Sequence, residues 1–279
     1  MQPAAFDYHR PGTIEEAVDL LGRVEGARVL AGGHSLLPAM KLRLSSPPAL
    51  VDLGRIAGLS GVTAENGSLS IGALTTHAEI EHSGLIEQEC PILAEAAATI
   101  GDPAVRNRGT IGGSLAHADP AADLPTVITA LGATVIVTGK GGEREIAAAD
   151  FFTGLFATSL GRGEVVTSIR VPKLGAGTGT AYVKHRHPAS SYAVVGVAAI
   201  VHAAGGAISG GSVAIGGATA NPVVLDVIPG EDPAAATSAS VAGAITRPIG
   251  DLYASGEYRV HLAGVLTKRA LTTAIARTA

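Results

Sequence analysis

Residues 99–125 read TIGDPAVRNRGTIGGSLAHADPAADLP, and residues 31–36 read AGGHSL. In the longer stretch Gly109, Gly112 and Gly113 remove side chains where a backbone must approach something closely. Thr110 and Ser114 add hydroxyls beside them. Arg106 and Arg108 put positive charge just upstream, and His117, Asp119 and Asp123 follow. Successive backbone N–H groups in such a loop form a concavity suited to phosphate oxygens. The shorter stretch repeats the pattern: Gly-Gly, then Ser with or without one intervening residue, then Leu. Two such loops suggest two sides of one diphosphate. On these residues alone a second reading stands beside it, that of two structural turns.

The segments flanking the loops give them a scaffold. Arg28 to Ala31 reads as a strand running into the first loop, and Ser35 to Leu44 as a helix with Pro38 in its tolerated first turn. That order puts N–H groups and a positive helix end at the loop, where an anion is favoured. Upstream, Thr13 to Leu21 reads as a helix. Thr13 and Glu16 form a capping box, and Ile14, Ala17, Val18 and Leu21 share one apolar face. A second capping box, Thr76 with Glu79, opens a short helix. Pro91 to Ala98 and Leu124 to Leu131 are helical on either side of the main loop. Asp123 reads either as the N-cap of the second of these or as an acceptor for a ligand hydrogen bond.

Strands are expected at Leu50–Leu53, Ser68–Ala73, Ala133–Thr138, Glu143–Ile146, Glu164–Val171 and Thr180–Arg186. Tyr192–His202 and Ala207–Ile215 are joined at Gly205-Gly206 as a hairpin, and Gly216-Gly217 reads as another turn. Helices are expected at Pro233–Ile245 and Glu257–Ala276. Clean βαβ alternation is missing, so the class is α+β rather than a doubly wound sheet. Breaks near Gly54–Gly58 and Lys173–Gly179 divide the chain into 1–55, 56–174 and 175–279.

Composition narrows the function. With 279 residues, 47% of them hydrophobic and 16% charged, the chain is long and apolar enough for a substantial core. A net charge of −4 without a basic tail argues against nucleic acid as a partner, and 3% aromatics without Trp argue against a base-stacking platform. Cys90 is the single cysteine, which excludes an intrachain disulfide and an iron–sulfur cluster held by this chain alone. The histidines match no familiar metal spacing. No G-x-G-x-x-G followed by an acidic residue, no P-loop and no G-x-S-x-G is present. No signal segment opens the chain, which fits a cytoplasmic protein.

AGGHSLLPAMKLRL and TIGDPAVRNRGTIGGSLAHADPAADLP together resemble the FAD-binding medium subunits of the molybdenum hydroxylases, nearest to the aerobic carbon monoxide dehydrogenase branch. The resemblance extends through FDYHRPGTIEEAVDLL, GEVVTSIRVP, YVKHRHPASSYAVV and EYRVHLAGVLTKRAL, almost the whole chain. It implies a vanillyl-alcohol-oxidase (PCMH)-type FAD domain of two α+β subdomains plus a C-terminal α+β domain. It implies that Ala31, Gly32, Gly33, His34 and Ser35, with Leu36 at the end, bind the FAD diphosphate. Thr110, Ile111, Gly112, Gly113 and Ser114 would close on it, with Ile100 and Gly101 nearer the flavin. Asp123 matches an acidic residue that contacts the cofactor, Lys184 a lysine near the isoalloxazine, Tyr192 an aromatic near the ring, and Val166 an apolar residue near its pyrimidine edge.

The implied function is electron transfer, with the redox chemistry on the flavin and no catalytic side chain. Iron–sulfur clusters and the molybdopterin cofactor would lie on a small and a large partner subunit, in a dimer of heterotrimers. The acceptor would be a quinone, met through the complex at the inner face of the membrane. Substrates in the family also include N-heterocycles and aldehydes, as in the xanthine dehydrogenase-like branch. A non-catalytic assembly protein that keeps the fold without flavin is the reading from another class.

Overall fold

The computed structural model describes residues 1–230 and 232–278. The chain opens with β1 (Asp7–His9), α1 (Ile14–Arg23), β2 (Arg28–Leu30), α2 (Leu36–Lys41) and β3 (Ala49–Asp52). The strands form a parallel sheet in the order β1-β3-β2. Helix α1 buries Ala17, Val18 and Leu21, the face its spacing predicts. Its cap differs from the expected box. Thr13 accepts from the Glu16 N–H, but the Glu16 carboxylate accepts from Gly12, one residue further out. Helix α2 is shorter than expected, ending at Lys41, with Arg43 left-handed (φ 62°) just beyond.

The middle of the chain contributes β4 (Val62–Glu65), β5 (Ser68–Gly72), α3 (His77–Glu81), α4 (Gly84–Glu89), α5 (Pro91–Ala98), α6 (Pro103–Arg106), α7 (Ile111–His117) and α8 (Asp123–Ala130). Then follow β6 (Thr134–Gly139), β7 (Gly142–Ala147), α9 (Ala148–Phe151), β8 (Phe152–Gly154), β9 (Ala157–Thr158) and β10 (Val165–Pro172). Strands β4-β5-β10-β6-β7 make one antiparallel sheet, and β8 and β9 a separate hairpin. Glu143–Ile146 does pair with the strand before it. The stretch 99–125 is not one loop, since α6 and α7 stand inside it. Asp102 caps the first and Thr110 the second, each side chain accepting an N–H three residues on.

The last third holds β11 (Thr178–Arg186), β12 (Ala193–Ala204), β13 (Ala207–Gly216), β14 (Val223–Asp226), α10 (Pro233–Ala244) and α11 (Gly256–Ala276). The strands form an antiparallel sheet in sequence order. Gly205-Gly206 is the hairpin turn between Ala204 and Ala207, both with positive φ. Gly216-Gly217 is not a tight turn. It ends β13 and begins a longer connection to β14.

Strand β12 is buried on both faces from Ala193 to Val201, which accounts for its unbroken apolar sequence. One face, with Val195, Val197, Ala199 and Val201, joins Leu266, Ala270 and Leu271 of α11 in one core. The other face, with Ala198 and Ile200, joins Ile92, Leu93, Val127 and Ile128 of α5 and α8 in the largest core. The third sheet is therefore built into the body of the molecule.

Arg259 fastens α11 to that sheet. Its guanidinium is buried and donates to the Val194 and Gly217 carbonyls (2.6 and 2.8 Å) and to Asp251 (2.6 Å). Arg259→Leu keeps the bulk and strands two carbonyls. We expect a stability loss of about 2–4 kcal/mol in urea unfolding. A loss below about 0.5 kcal/mol, the size of an ordinary surface change, would show that the clamp is dispensable.

Candidate functional site

The two glycine stretches touch. A Cβ on Gly32 would overlap the Arg108 carbonyl oxygen and stand 2.9 Å from the Gly109 Cα. Only a residue without a side chain lets the backbones meet there. Gly113 faces the same contact, because a Cβ on it would lie 3.7 Å from the Ala31 Cβ. Gly33 serves the turn itself, at φ +76°, where other residues are strained.

The loops differ in their N–H groups. In the first, no acceptor among the described residues meets the N–H of Gly32, Gly33, His34 or Ser35. His34 is exposed, with Nδ1 3.1 Å from the Gly32 carbonyl. In the second, the N–H groups are taken. Ile111 donates to Thr75 O (3.0 Å), Gly112 to Ala73 O (2.9 Å), Gly113 to Thr110 Oγ1 (3.1 Å) and Ser114 to Thr110 O (2.9 Å). The first loop therefore offers donors to an anion. The second offers a side-chain-free wall and the Ser114 hydroxyl.

The second loop is pinned by the segment before and within α3. The His77 N–H donates to Gly109 O at 2.9 Å, and the His77 ring packs on Gly109. The expected capping box is present here. Glu79 N–H donates to Thr76 Oγ1, and Thr76 N–H to the Glu79 carboxylate. Burial lowers the His77 imidazole to a pKa of about 4 and keeps it neutral. Arg106 belongs to the scaffold: it pairs with Glu81 (2.7 Å) and donates to Ile100 O (2.8 Å). Arg108 is exposed.

Asp123 does not cap α8. Ala122 is the N-cap, and Asp123 is the first helical residue, 5% exposed. Its Oδ1 accepts from the Tyr182 hydroxyl (2.6 Å), and the Lys184 ammonium stands 2.9 Å from Oδ1 and 3.0 Å from Oδ2. Lys184 also donates to Ser191 O at 2.8 Å. Burial raises the Asp123 carboxyl above the usual carboxylate range, and the Lys184 charge and both hydrogen bonds oppose that. Burial, then the Asp123 charge, pushes the Tyr182 phenol well above the ordinary tyrosine value, so it remains a donor.

The segment after β11 leans on both loops. Ser191, left-handed at φ 59°, packs against Gly101, and Tyr192 follows it, 42% exposed, with its hydroxyl near Ser35. Burial and the Asp119 charge raise the Tyr192 hydroxyl. A cavity of about 490 Å³ opens beside the Asp–Lys pair, lined by Thr99, Ile100, Gly101, Tyr182, Lys184 and Ser191 among others. The fold thus gathers Ala31–Ser35, Ile100, Gly101, Thr110–Ser114, Asp123, Lys184 and Tyr192 around one seam. Leu36 begins α2 at its edge. Val166 stands apart, its side chain in the core at a bulge of β10. Its neighbour Thr167 passes a carbonyl to the Ala73 N–H, one hydrogen bond from Gly112. Tyr182 was missed on the sequence. Its place two residues before Lys184 on a strand, hence on the same face, was the available signal.

The FAD-binding domain of molybdopterin dehydrogenases matches residues 4–174, and the C-terminal domain of the carbon monoxide dehydrogenase flavoprotein matches 180–274. The chain belongs to the FAD-binding subunits of the molybdopterin dehydrogenases. Its similarity to the carbon monoxide dehydrogenase medium chain of Hydrogenophaga pseudoflava is 39% identity over 100% of both chains. Similarity to the nicotine 6-hydroxylase medium subunit of Paenarthrobacter nicotinovorans is 38%, again over 100% of both. A solved carbon monoxide dehydrogenase from Hydrogenophaga pseudoflava superposes with a TM-score of 0.95 at 38% identity, covering 100% of each chain. The family's α+β FAD domain and C-terminal domain are the fold described above, and FAD is its cofactor. The residues fit that cofactor: the first loop carries N–H groups without acceptors, and the contact of Gly32 with the Arg108–Gly109 backbone is free of side chains.

Gly32→Ala inserts a methyl between the two loops, an overlap that costs about 1–3 kcal/mol if the backbones hold. We expect loss of flavin from the purified protein, read as FAD per chain. Full flavin with unchanged stability would show that the loops need not touch. A pH test addresses the pinning. The His77 pKa is depressed when folded, so its contribution is complete above pH 6.5 and lost as pH falls toward 4. The wild type should lose up to roughly 3 kcal/mol more than His77→Gln over that window. Parallel curves would show that His77 is not buried neutral.

Proposed function

We propose that this chain is the electron-transferring FAD subunit of a molybdenum hydroxylase complex that oxidises carbon monoxide. The supporting observation is the pair of touching glycine loops beside a buried Asp–Lys pair. It stands in a chain matched end to end by a carbon monoxide dehydrogenase medium chain. In this reading the N–H groups of Gly32 to Ser35 receive the diphosphate charge, and Gly112 and Gly113 wall it. Asp123 accepts a hydrogen bond, Lys184 supplies the compensating charge, and Tyr192 covers the site. A bound flavin supplies redox chemistry that takes electrons singly and returns them in pairs.

The chain itself holds no redox thiol. Burial pushes the Cys90 thiol up to about 12, so it stays protonated. Electrons then arrive from a small iron–sulfur subunit fed by a large molybdenum subunit, in a dimer of heterotrimers. Among the described residues no helix is long and apolar enough to cross a membrane. A quinone acceptor is then met through the complex, at the inner membrane face. The reading assigns residues 1–55 and 56–174 to the FAD domain and 175–279 to the C-terminal domain. Oxidation of an N-heterocycle is the second reading, supported by the 38% identity to a nicotine 6-hydroxylase medium subunit.

The visible spectrum of the chain, alone and with its co-purifying partners, tests the first statement. We expect acid-releasable FAD near one per chain in the complex, with iron–sulfur absorbance only when the partners are present. A stable but colourless complex would sink it. Turnover of carbon monoxide against nicotine by that complex then separates the two substrates.

A further inference from the structure

Tyr182 and Lys184, separated by Val183 on β11, share one face and point together from the third sheet toward α8. Gly196 of β12 is the register partner of Lys184. A Cβ there would overlap the Tyr182 hydroxyl and stand 3.2 Å from its Cζ. The sheet therefore omits a side chain at the place where the phenol must lie to reach Asp123. Packing alone does not require that hydroxyl, since the neighbours on this face of the sheet are Ala198, Ile200 and Ala214. A carboxylate offers about four acceptor positions. Tyr182 donates to Oδ1 and Lys184 donates to Oδ2, with the ammonium also 2.9 Å from Oδ1. The arrangement fixes the plane of the carboxylate and leaves Oδ2 with capacity for another donor. Tyr182 and Lys184 both line the adjoining cavity.

We propose that Tyr182, seated over Gly196, is a positioning residue that orients and keeps ionised the Asp123 carboxylate, so that Oδ2 can accept a hydroxyl or N–H of bound flavin. This rests on the reading of the site as a flavin site. The hydrogen bond favours the charged carboxylate, so its loss makes that charge easier to protonate. Other charges face the pair. Glu95 of α5 accepts from the Tyr182 N–H and pairs with Arg277. Asp119 and Tyr192 lie on the loop side, and Arg106 and Arg186 line the cavity. Strand β12 contributes no titratable group from Ala193 to Val201.

Tyr182→Phe in the full chain, co-purified with its partners, removes one oxygen and keeps the ring. FAD is stripped and titrated back between pH 6 and 9. We expect wild-type affinity to be flat over that range. In Tyr182→Phe it should be weaker by roughly tenfold and fall further toward pH 6, with the melting temperature of the flavin-free complex nearly unchanged. Gly196→Ala should reproduce the loss in the wild type and add little to it in Tyr182→Phe, because the two act on one contact. Two results overturn the proposal: a Tyr182→Phe complex that binds FAD with wild-type affinity and pH profile, or one that loses stability while affinity holds. Absence of flavin from the wild-type complex would instead remove the flavin reading, and this inference with it.

Discussion

The site depends on one contact between backbones, Gly32 against Arg108 and Gly109. The first residue lies two residues past β2 of the parallel sheet, and the other two precede a helix packed on the antiparallel sheet. Both sheets are anchored near this point. Leu30 O accepts the Leu53 N–H, and Ala73 O accepts the Gly112 N–H. Two loops that meet without side chains between them set their peptide groups side by side. Peptide groups held in that way have partial charge and little freedom to rearrange, which suits an anionic ligand.

The loops share their composition and divide the work. The N–H groups of the second are consumed by Thr75, Ala73 and Thr110, so that loop is held in place before any ligand arrives. The first loop is fastened downstream, where Leu37 N–H donates to Gly33 O, and keeps its own donors available. A rigid wall opposite a donor-rich turn is cheaper to preorganise than two loops that must both order on binding. Hydrogen-bond accounting shows this division, and the sequence pattern does not, because Gly-Gly-Ser reads alike in both.

Much of the fold could be read from the sequence because it rests on local patterns. The α1 face, the Thr76–Glu79 cap and the Gly205-Gly206 hairpin all follow from periodicity or turn chemistry. The helices inside 99–125 were hidden because each is short and rich in Gly, Pro or Ala, with no apolar period to count. Asp123 was ambiguous for a better reason. An acidic residue at the start of a helix is explained by the helix alone, and the alternative depends on a lysine 61 residues further on. The docking of the third sheet on α8 shows Asp123 paired with Lys184 and Tyr182, with Ala122 as the cap. For Tyr182 the sequence offered only its place on the Lys184 face of a strand, because its partner is 59 residues away.

That docking also sets the energetics of the seam. A buried carboxylate and ammonium lose hydration that their mutual attraction only partly returns, so such a pair persists when further hydrogen bonds complete it. Here Tyr182 completes the carboxylate and the Ser191 carbonyl completes the ammonium. Ser191 belongs to the segment that also brings Tyr192 near Ser35 of the first loop. One charge pair therefore links the C-terminal sheet, helix α8 and the segment leaning on the glycine loop. A change of charge at Asp123 would be felt at all three. The C-terminal domain, which holds neither glycine loop, thus places Lys184, Tyr182 and Tyr192 at the candidate site. Tyr182 and Lys184 meet Asp123 only because that sheet is seated on α8.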